Sequence, residues 1–285
     1  MSPRAVAEWM LFATTLIWGS TFVAVKLALS DPAPLRLNAV RFTLAAVLLL
    51  PWVRPALRRS TRPLVRDAAG LALLICFGCS LQTIGLVYTT ASKSAFITAM
   101  MVVFTPLLQL LLTGRPPRAA HWIGIGTVVA GLWLLTAPAG GLNRGDALTL
   151  ACAAVFALYI VRLDGIAPRH DLNALAFWQI ALTAGLSWIG AAGERGTLTF
   201  TPKLAGILVY LAVGATIVTT YVQTRFQRDT TPTRAALIYT LEPVWAAALA
   251  AVTVGDRLDR GGWVGAGLIL AGILVSERPW AVRNG

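Results

Sequence analysis

Apolar residues run along this chain in blocks of about 20, separated by short stretches rich in arginine, proline or small polar residues. A helix rises about 1.5 Å per residue, so a block of that length spans the roughly 30 Å hydrocarbon core of a bilayer. Ten blocks are found, at Glu8 to Leu29, Leu35 to Val53, Ala68 to Thr90, Ser94 to Thr113, Ala119 to Thr136, Ala147 to Ile166, Leu172 to Ala191, Leu204 to Val222, Thr233 to Val254 and Gly261 to Val275. The first is long, lacks a small-residue cleavage site and carries Lys26, which reads as a retained helix and not as a cleaved signal. The pattern predicts an all-α integral membrane protein with ten transmembrane helices and no room for a soluble domain.

The same pattern repeats. Sliding the chain against itself by 141 residues places Gln82 and Thr83 on Gln223 and Thr224, Thr89 and Thr90 on Thr230 and Thr231, and Lys93 on Arg234. Further along, Gly114 meets Gly255, Trp122 meets Trp263, Gly124 and Gly126 meet Gly265 and Gly267, and Gly131 meets Gly272. Near the start of each half the offset drifts to about 138, where Trp18 meets Phe156 and Arg41 meets Gln179. Residues 1–140 and 141–285 are thus expected to be two five-helix repeats. Five is odd, so the second copy enters the membrane from the other side and the halves are inverted, a frequent build for secondary transporters.

Composition narrows the class. Hydrophobic residues make up 57% of the 285 and charged residues 13%, about half the usual charged fraction, which excludes a water-soluble enzyme. The net charge of +12 lies between apolar blocks and does not interleave with aromatics on a soluble face, so no nucleic-acid partner is expected. With a cytoplasmic N-terminus, 15 of the 24 Lys and Arg residues fall on the cytoplasmic side and 7 on the other, leaving Lys26 and Arg41 within helices. This asymmetry predicts a multi-pass protein of the cell (inner) membrane with both termini cytoplasmic. Cys76, Cys79 and Cys152 sit inside apolar blocks as packing residues, no metal set is expected, and the absence of GxxxxGK argues against direct ATP use. No cofactor is implied.

Two stretches carry a resemblance: "WGSTFVAVKLAL" followed by "RF" in the first two helices, and "YTLEPVWAAALAAVTVGDRL" followed by "GWVGAGLILAGILV" in the last two. The chain resembles the drug/metabolite transporter superfamily in its ten-helix EamA-like branch, with an amino-acid exporter of the YddG type as the nearest likeness. The resemblance implies export of amino acids or related small metabolites, with the lipid bilayer as the other partner and a monomer as a possible state. It departs where the family often places Glu after the glycine ending the fourth and ninth helices: Arg115 follows Gly114 here, and Asp256 follows Gly255. A multidrug or organic-cation exporter, and a channel, remain open as alternatives.

Chemistry must reside in polar groups inside the membrane, since one facing lipid is costly while one facing a cavity can be functional. Glu242, mid-helix and followed by Pro243, stands out: an acid at such depth costs about 2.5–3.5 kcal/mol on insertion scales. A substrate-ammonium or proton site and a structural carboxyl at the proline kink both account for it. Repeat symmetry pairs Glu242 with Met101 and Tyr239 with Thr98, and three-residue spacing puts each helix's pair on one face. These four, with Trp18, Gln82, Phe156 and Tyr159, are the expected substrate cavity. Ser92 and Thr233 are expected N-caps, and Lys93 and Arg234 behind them possible gates. Helices one, three, four, six, eight and nine should surround the cavity. Helices five and ten should pack peripherally through Gly126 with Ala130, Gly261 with Gly265 and Gly267 with Ala271.

Overall fold

A computed structural model describes residues 2–29, 33–114, 119–136, 143–196, 198–253 and 260–277. The junction expected between the repeats, and the Arg115 and Asp256 positions, lie outside them. The described residues are helical: α1 (Pro3–Ala28), α2 (Pro34–Leu57), α3 (Arg62–Tyr88), α4 (Ala91–Ala99), α5 (Met101–Thr113), α6 (Ala119–Thr136), α7 (Arg144–Ile166), α8 (Leu172–Ala191), α9 (Pro202–Ala212), α10 (Thr219–Phe226), α11 (Pro232–Tyr239), α12 (Glu242–Thr253) and α13 (Arg260–Glu277). Seven stretches are long and apolar enough to cross a membrane: α1, α2, α3, α4 with α5, α7, α8, and the run Pro202–Asp229. Shorter apolar helices cover His121–Leu134 and Trp263–Val275.

Local chemistry sets many of the helix starts. Thr61, Asp171 and Thr201 each cap the helix that follows, Pro occupying the first turn of α3 and α9. Asn143 and Asp146 form a reciprocal capping box at the start of α7. The expected caps at Ser92 and Thr233 are corrected by two residues. The helices begin earlier, at Ala91 and Pro232, so the side chains of Thr90 and Thr231 accept from the backbone N–H groups of Lys93 and Arg234 at 3.2 and 3.3 Å.

Two pairs of helices that correspond across the 141-residue offset, α2 with α8 and α6 with α13, pack against each other antiparallel. Along α2 and α8, Ser60 accepts from the Trp178 indole at 2.9 Å, Thr43 from the Trp188 indole at 2.9 Å, and Glu194 from the Arg36 backbone N–H at 2.8 Å, residue numbers rising on one side as they fall on the other. On α6 and α13, a Cβ on Gly131 would lie 2.6 Å from the Gly265 carbonyl oxygen, and one on Gly272 would lie 2.7 Å from that of Gly124. Only glycine lets these two backbones approach so closely. The expected register was offset, because Gly126 and Gly267 have open space around them.

The offset itself is also refined. Asn38 donates to Thr83 at 3.1 Å between α2 and α3, and Gln179 donates to Thr224 at 3.4 Å between α8 and α10. The second pair lies 141 residues after the first at both members, so Asn38, not Arg41, matches Gln179, and the counterpart of Arg41 is Leu182.

Candidate functional site

Two helices are broken at matching positions. Met100 separates α4 from α5, and Thr240 and Leu241 separate α11 from α12; between them, Met100, Thr240 and Leu241 donate to carbonyls three residues back. At the second break Pro243 has no N–H to bond the Tyr239 carbonyl. The first break forms although Val102 stands where Pro243 stands in the other half. Each break turns the residue after it, Met101 or Glu242, and the residue before it, Thr98 or Tyr239, toward the centre of the bundle.

There the helices line a cavity of about 110 Å3. At about 10–15 Å3 per water it holds several waters or a small solute. All eight residues expected in the cavity line it: Trp18, Gln82, Thr98, Met101, Phe156, Tyr159, Tyr239 and Glu242. Trp18 sits edge-to-face on Tyr239, with ring centroids 5.2 Å apart. Gln82 donates to Thr98 at 3.2 Å, and the Tyr159 hydroxyl donates to Gln179 at 2.8 Å, so these polar groups are engaged. Phe156 lies against Gly78, where a Cβ would collide with its ring.

Two polar groups in the lining are not engaged. Glu242 is 6% exposed, and its carboxyl has no hydrogen-bond or ion-pair partner among the described residues. The Tyr239 hydroxyl, one turn before it, is buried and makes no hydrogen bond of normal geometry, although the Gln223 side chain lies close by in the same lining. A buried polar atom left without a partner costs about 1–3 kcal/mol, which a ligand or water in the cavity offsets.

Expectation missed one helix. α2 also lines the cavity, through Arg41 and Phe42, whereas α6, α8 and α13 do not. Arg41 was visible as a cation inside an apolar block, but its spacing did not say which face it occupied. It is 9% exposed, and it donates through Nε to Thr216 at 2.8 Å and through Nη2 to the Ala215 carbonyl at 2.9 Å. Both partners lie in Val213–Val218, a π-helical turn joining α9 to α10, with the Thr216 hydroxyl bonded back to the Leu211 carbonyl.

The ends of the bundle carry the two gate candidates, each in an ion pair. Lys93 Nζ lies 2.7 Å from Asp146, joining α4 to α7. Arg234 lies 2.6 Å from Glu8 through Nη2 and 2.8 Å through Nε, joining α11 to α1. Lys93 and Arg234 each precede a cavity residue, Thr98 or Tyr239, by five positions, or about 7.5 Å of helix. Lys93 and Arg234 differ by 141, and Glu8 and Asp146 by 138. The two bridges therefore correspond, and each ties one half of the chain to the other.

Apolar helices around a buried polar cavity, with ion pairs above and below it, define a membrane protein of the class that moves small solutes. Within that class the chain belongs to the EamA-like transporter family, which matches residues 5–137 and, a second time, 143–277. It is 30% identical over 272 residues to an uncharacterized transporter of Archaeoglobus fulgidus, covering 95% of this chain and 86% of the relative. It is 26% identical over 284 residues to a protein of Streptantibioticus cattleyicolor named a "probable terminal-alkyne amino-acid exporter", covering 95% and 93%. One crystal structure superposes with a TM-score of 0.79 at 20% identity, over 96% of this chain and 97% of that one, which is a likeness of fold.

Proposed function

We infer that the protein is a secondary transporter that exports small metabolites, amino acids foremost, by alternating access between two inverted five-helix halves. The observation that carries this reading is the buried Glu242 carboxyl, without a hydrogen-bond or ion-pair partner among the described residues, one turn after Tyr239 in the cavity at a helix break. Such a group accepts a substrate ammonium or exchanges a proton as the cavity changes sides. The double family match and the antiparallel packing of α2 on α8 and of α6 on α13 support the inverted halves and ten spans. A carrier needs its two ends to open in turn, and matched ion pairs at both ends supply two such closures, which favours a carrier over a channel. The family relative named for amino-acid export supports the substrate class.

The purified protein in liposomes is expected to show counterflow of labelled substrate, which a channel does not. Glu242→Gln keeps the shape of the side chain and removes its titration. Transport should fall at least tenfold or lose its pH dependence. Parent-rate transport with an unchanged pH profile would make Glu242 a structural partner of the helix break and remove it from the site.

Orientation follows from the arginine distribution, with both termini and the Arg234–Glu8 bridge on the cytoplasmic side and the Lys93–Asp146 bridge outside. On a cysteine-free background, a single cysteine at Gly196 should react with an impermeant thiol reagent in intact cells, and one at Arg59 should be sheltered. Labelling at Arg59 from outside reverses the assignment.

A further inference from the structure

Arg41 breaks the symmetry of the repeats at the cavity wall. Its counterpart in the second half is Leu182, and the counterpart of its partner Thr216 is Ile75, so two apolar residues stand where the repeat would place a second hydrogen-bonded cation. The backbone follows the chemistry. The residues of α3 that correspond to Val213–Val218 continue as α-helix, while the stretch facing Arg41 widens to a π turn that presents Thr216 and the Ala215 carbonyl to the guanidinium. A scaffold built by duplication does not need this charge, since its twin does without one.

The charge is also unbalanced. A guanidinium stays protonated at any physiological pH, and burying one without an anion is costly. Among the described residues no carboxylate lies within 4.0 Å of Arg41, its two hydrogen-bond partners are neutral, the Phe42 ring lies 5.2 Å from its guanidinium carbon, and Nη1 makes no hydrogen bond. Across the same cavity stands a carboxyl group, that of Glu242, also without a partner. The two do not touch. A cavity with an unmatched cation on one wall and an unmatched acid on another is complementary to a solute carrying both charges.

We propose that Arg41 is the carboxylate-binding residue of the cavity, and that together with Glu242 it selects zwitterionic α-amino acids over amines and amino-acid amides. Arginine suits this role because its fork of N–H groups matches a carboxylate, and the bonds to Thr216 and Ala215 hold the fork in place from behind. The inference rests on the transport reading above and adds the residue that sets specificity. It also separates the two exporter alternatives: an organic-cation carrier has no use for a cation in its binding cavity.

The test uses the full protein in liposomes and three matched probe sets, each an α-amino acid, its amide and its decarboxylated amine: leucine, leucinamide and 3-methylbutylamine, with the corresponding phenylalanine and methionine sets. The parent protein should move the best acid at least tenfold faster than its amide or amine. Arg41→Gln should bring that ratio to within twofold, chiefly by slowing the acid, and Arg41→Lys should keep part of it. A variant that still prefers the acid tenfold overturns the role of Arg41 and leaves amino-acid transport standing. A parent that moves amines and amides but no acid overturns the amino-acid reading itself, and this inference with it. Should Arg41→Gln fail to fold, thermal unfolding of the parent decides: the acid should raise the midpoint and the equimolar amide should not, and equal shifts overturn the proposal.

Discussion

The two ends of the bundle are made from corresponding parts and closed to different depths. At one end Asp146 is 1% exposed, sits within 2.7 Å of Lys93, accepts from the Thr89 hydroxyl at 2.8 Å and accepts from the Asn143 backbone N–H at 2.8 Å. Lys26 lies nearby and donates to the Leu86 and Thr89 carbonyls at the end of α3. At the other end Glu8 is 17% exposed and is held by Arg234 and Arg4, two arginines that converge on one carboxylate oxygen. Thr230, the counterpart of Thr89, has a buried hydroxyl with no partner. Matching positions in the two halves therefore do not make equal ion pairs. One carboxylate is satisfied by three partners, while the other is more exposed and lacks the threonine hydrogen bond, which makes the Glu8 end the expected one to open more easily.

This asymmetry makes its largest prediction for the carboxylates themselves. Asp146→Asn removes the buried anion that faces Lys93 and weakens the bond from Asn143, a change worth about 3–5 kcal/mol for a buried pair. Glu8→Gln acts on a pair whose carboxylate is more exposed and is still met by Arg234 and Arg4 as hydrogen-bond donors, so its cost should be smaller. Thermal unfolding in micelles should show a far larger loss for Asp146→Asn, and added salt should shrink only the Glu8→Gln effect. A larger loss for Glu8→Gln would mean that the Arg234 end is the tight one.

Much of this was legible in the sequence because membrane helices write themselves plainly: seven of the ten apolar blocks correspond to helical stretches long and apolar enough to cross a membrane, and the eight residues picked for polarity and repeat position line one cavity. Helix starts were less legible, since Thr90 and Ser92 offer the same hydroxyl and only the true first residue of the helix chooses between them. The partners of the gate residues were out of reach for a different reason. Asp146 and Glu8 lie near the starts of their helices, where an acid reads as ordinary solvated charge, and pairing them with Lys93 and Arg234 needs the packing of α4 on α7 and of α11 on α1. Arg41 was misaligned because a three-residue drift that holds for the first helix of each half does not extend to the second, where Asn38 and Gln179 fix the register through their threonines.

The smallest and sharpest test lies in those two threonines at the ends, Thr89 and Thr230. Valine is nearly isosteric with threonine, so the substitution removes a hydroxyl and little else. At Thr89 the hydroxyl donates to a buried carboxylate, and a hydrogen bond to a charged group contributes about 1.5–3 kcal/mol. At Thr230 the hydroxyl is buried and idle, so its removal relieves a desolvation cost and should be neutral or mildly stabilising. Thr89→Val is therefore expected to lower the unfolding midpoint, and Thr230→Val to leave it level or raise it. The same opposition should appear in transport, because loosening Asp146 weakens the closure that Lys93 makes, while Thr230→Val touches no bond at the Glu8 end. If both substitutions lower the midpoint equally, then Thr230 reaches a partner of its own at that end and the two closures are alike, which removes the basis for ranking one end as the easier to open.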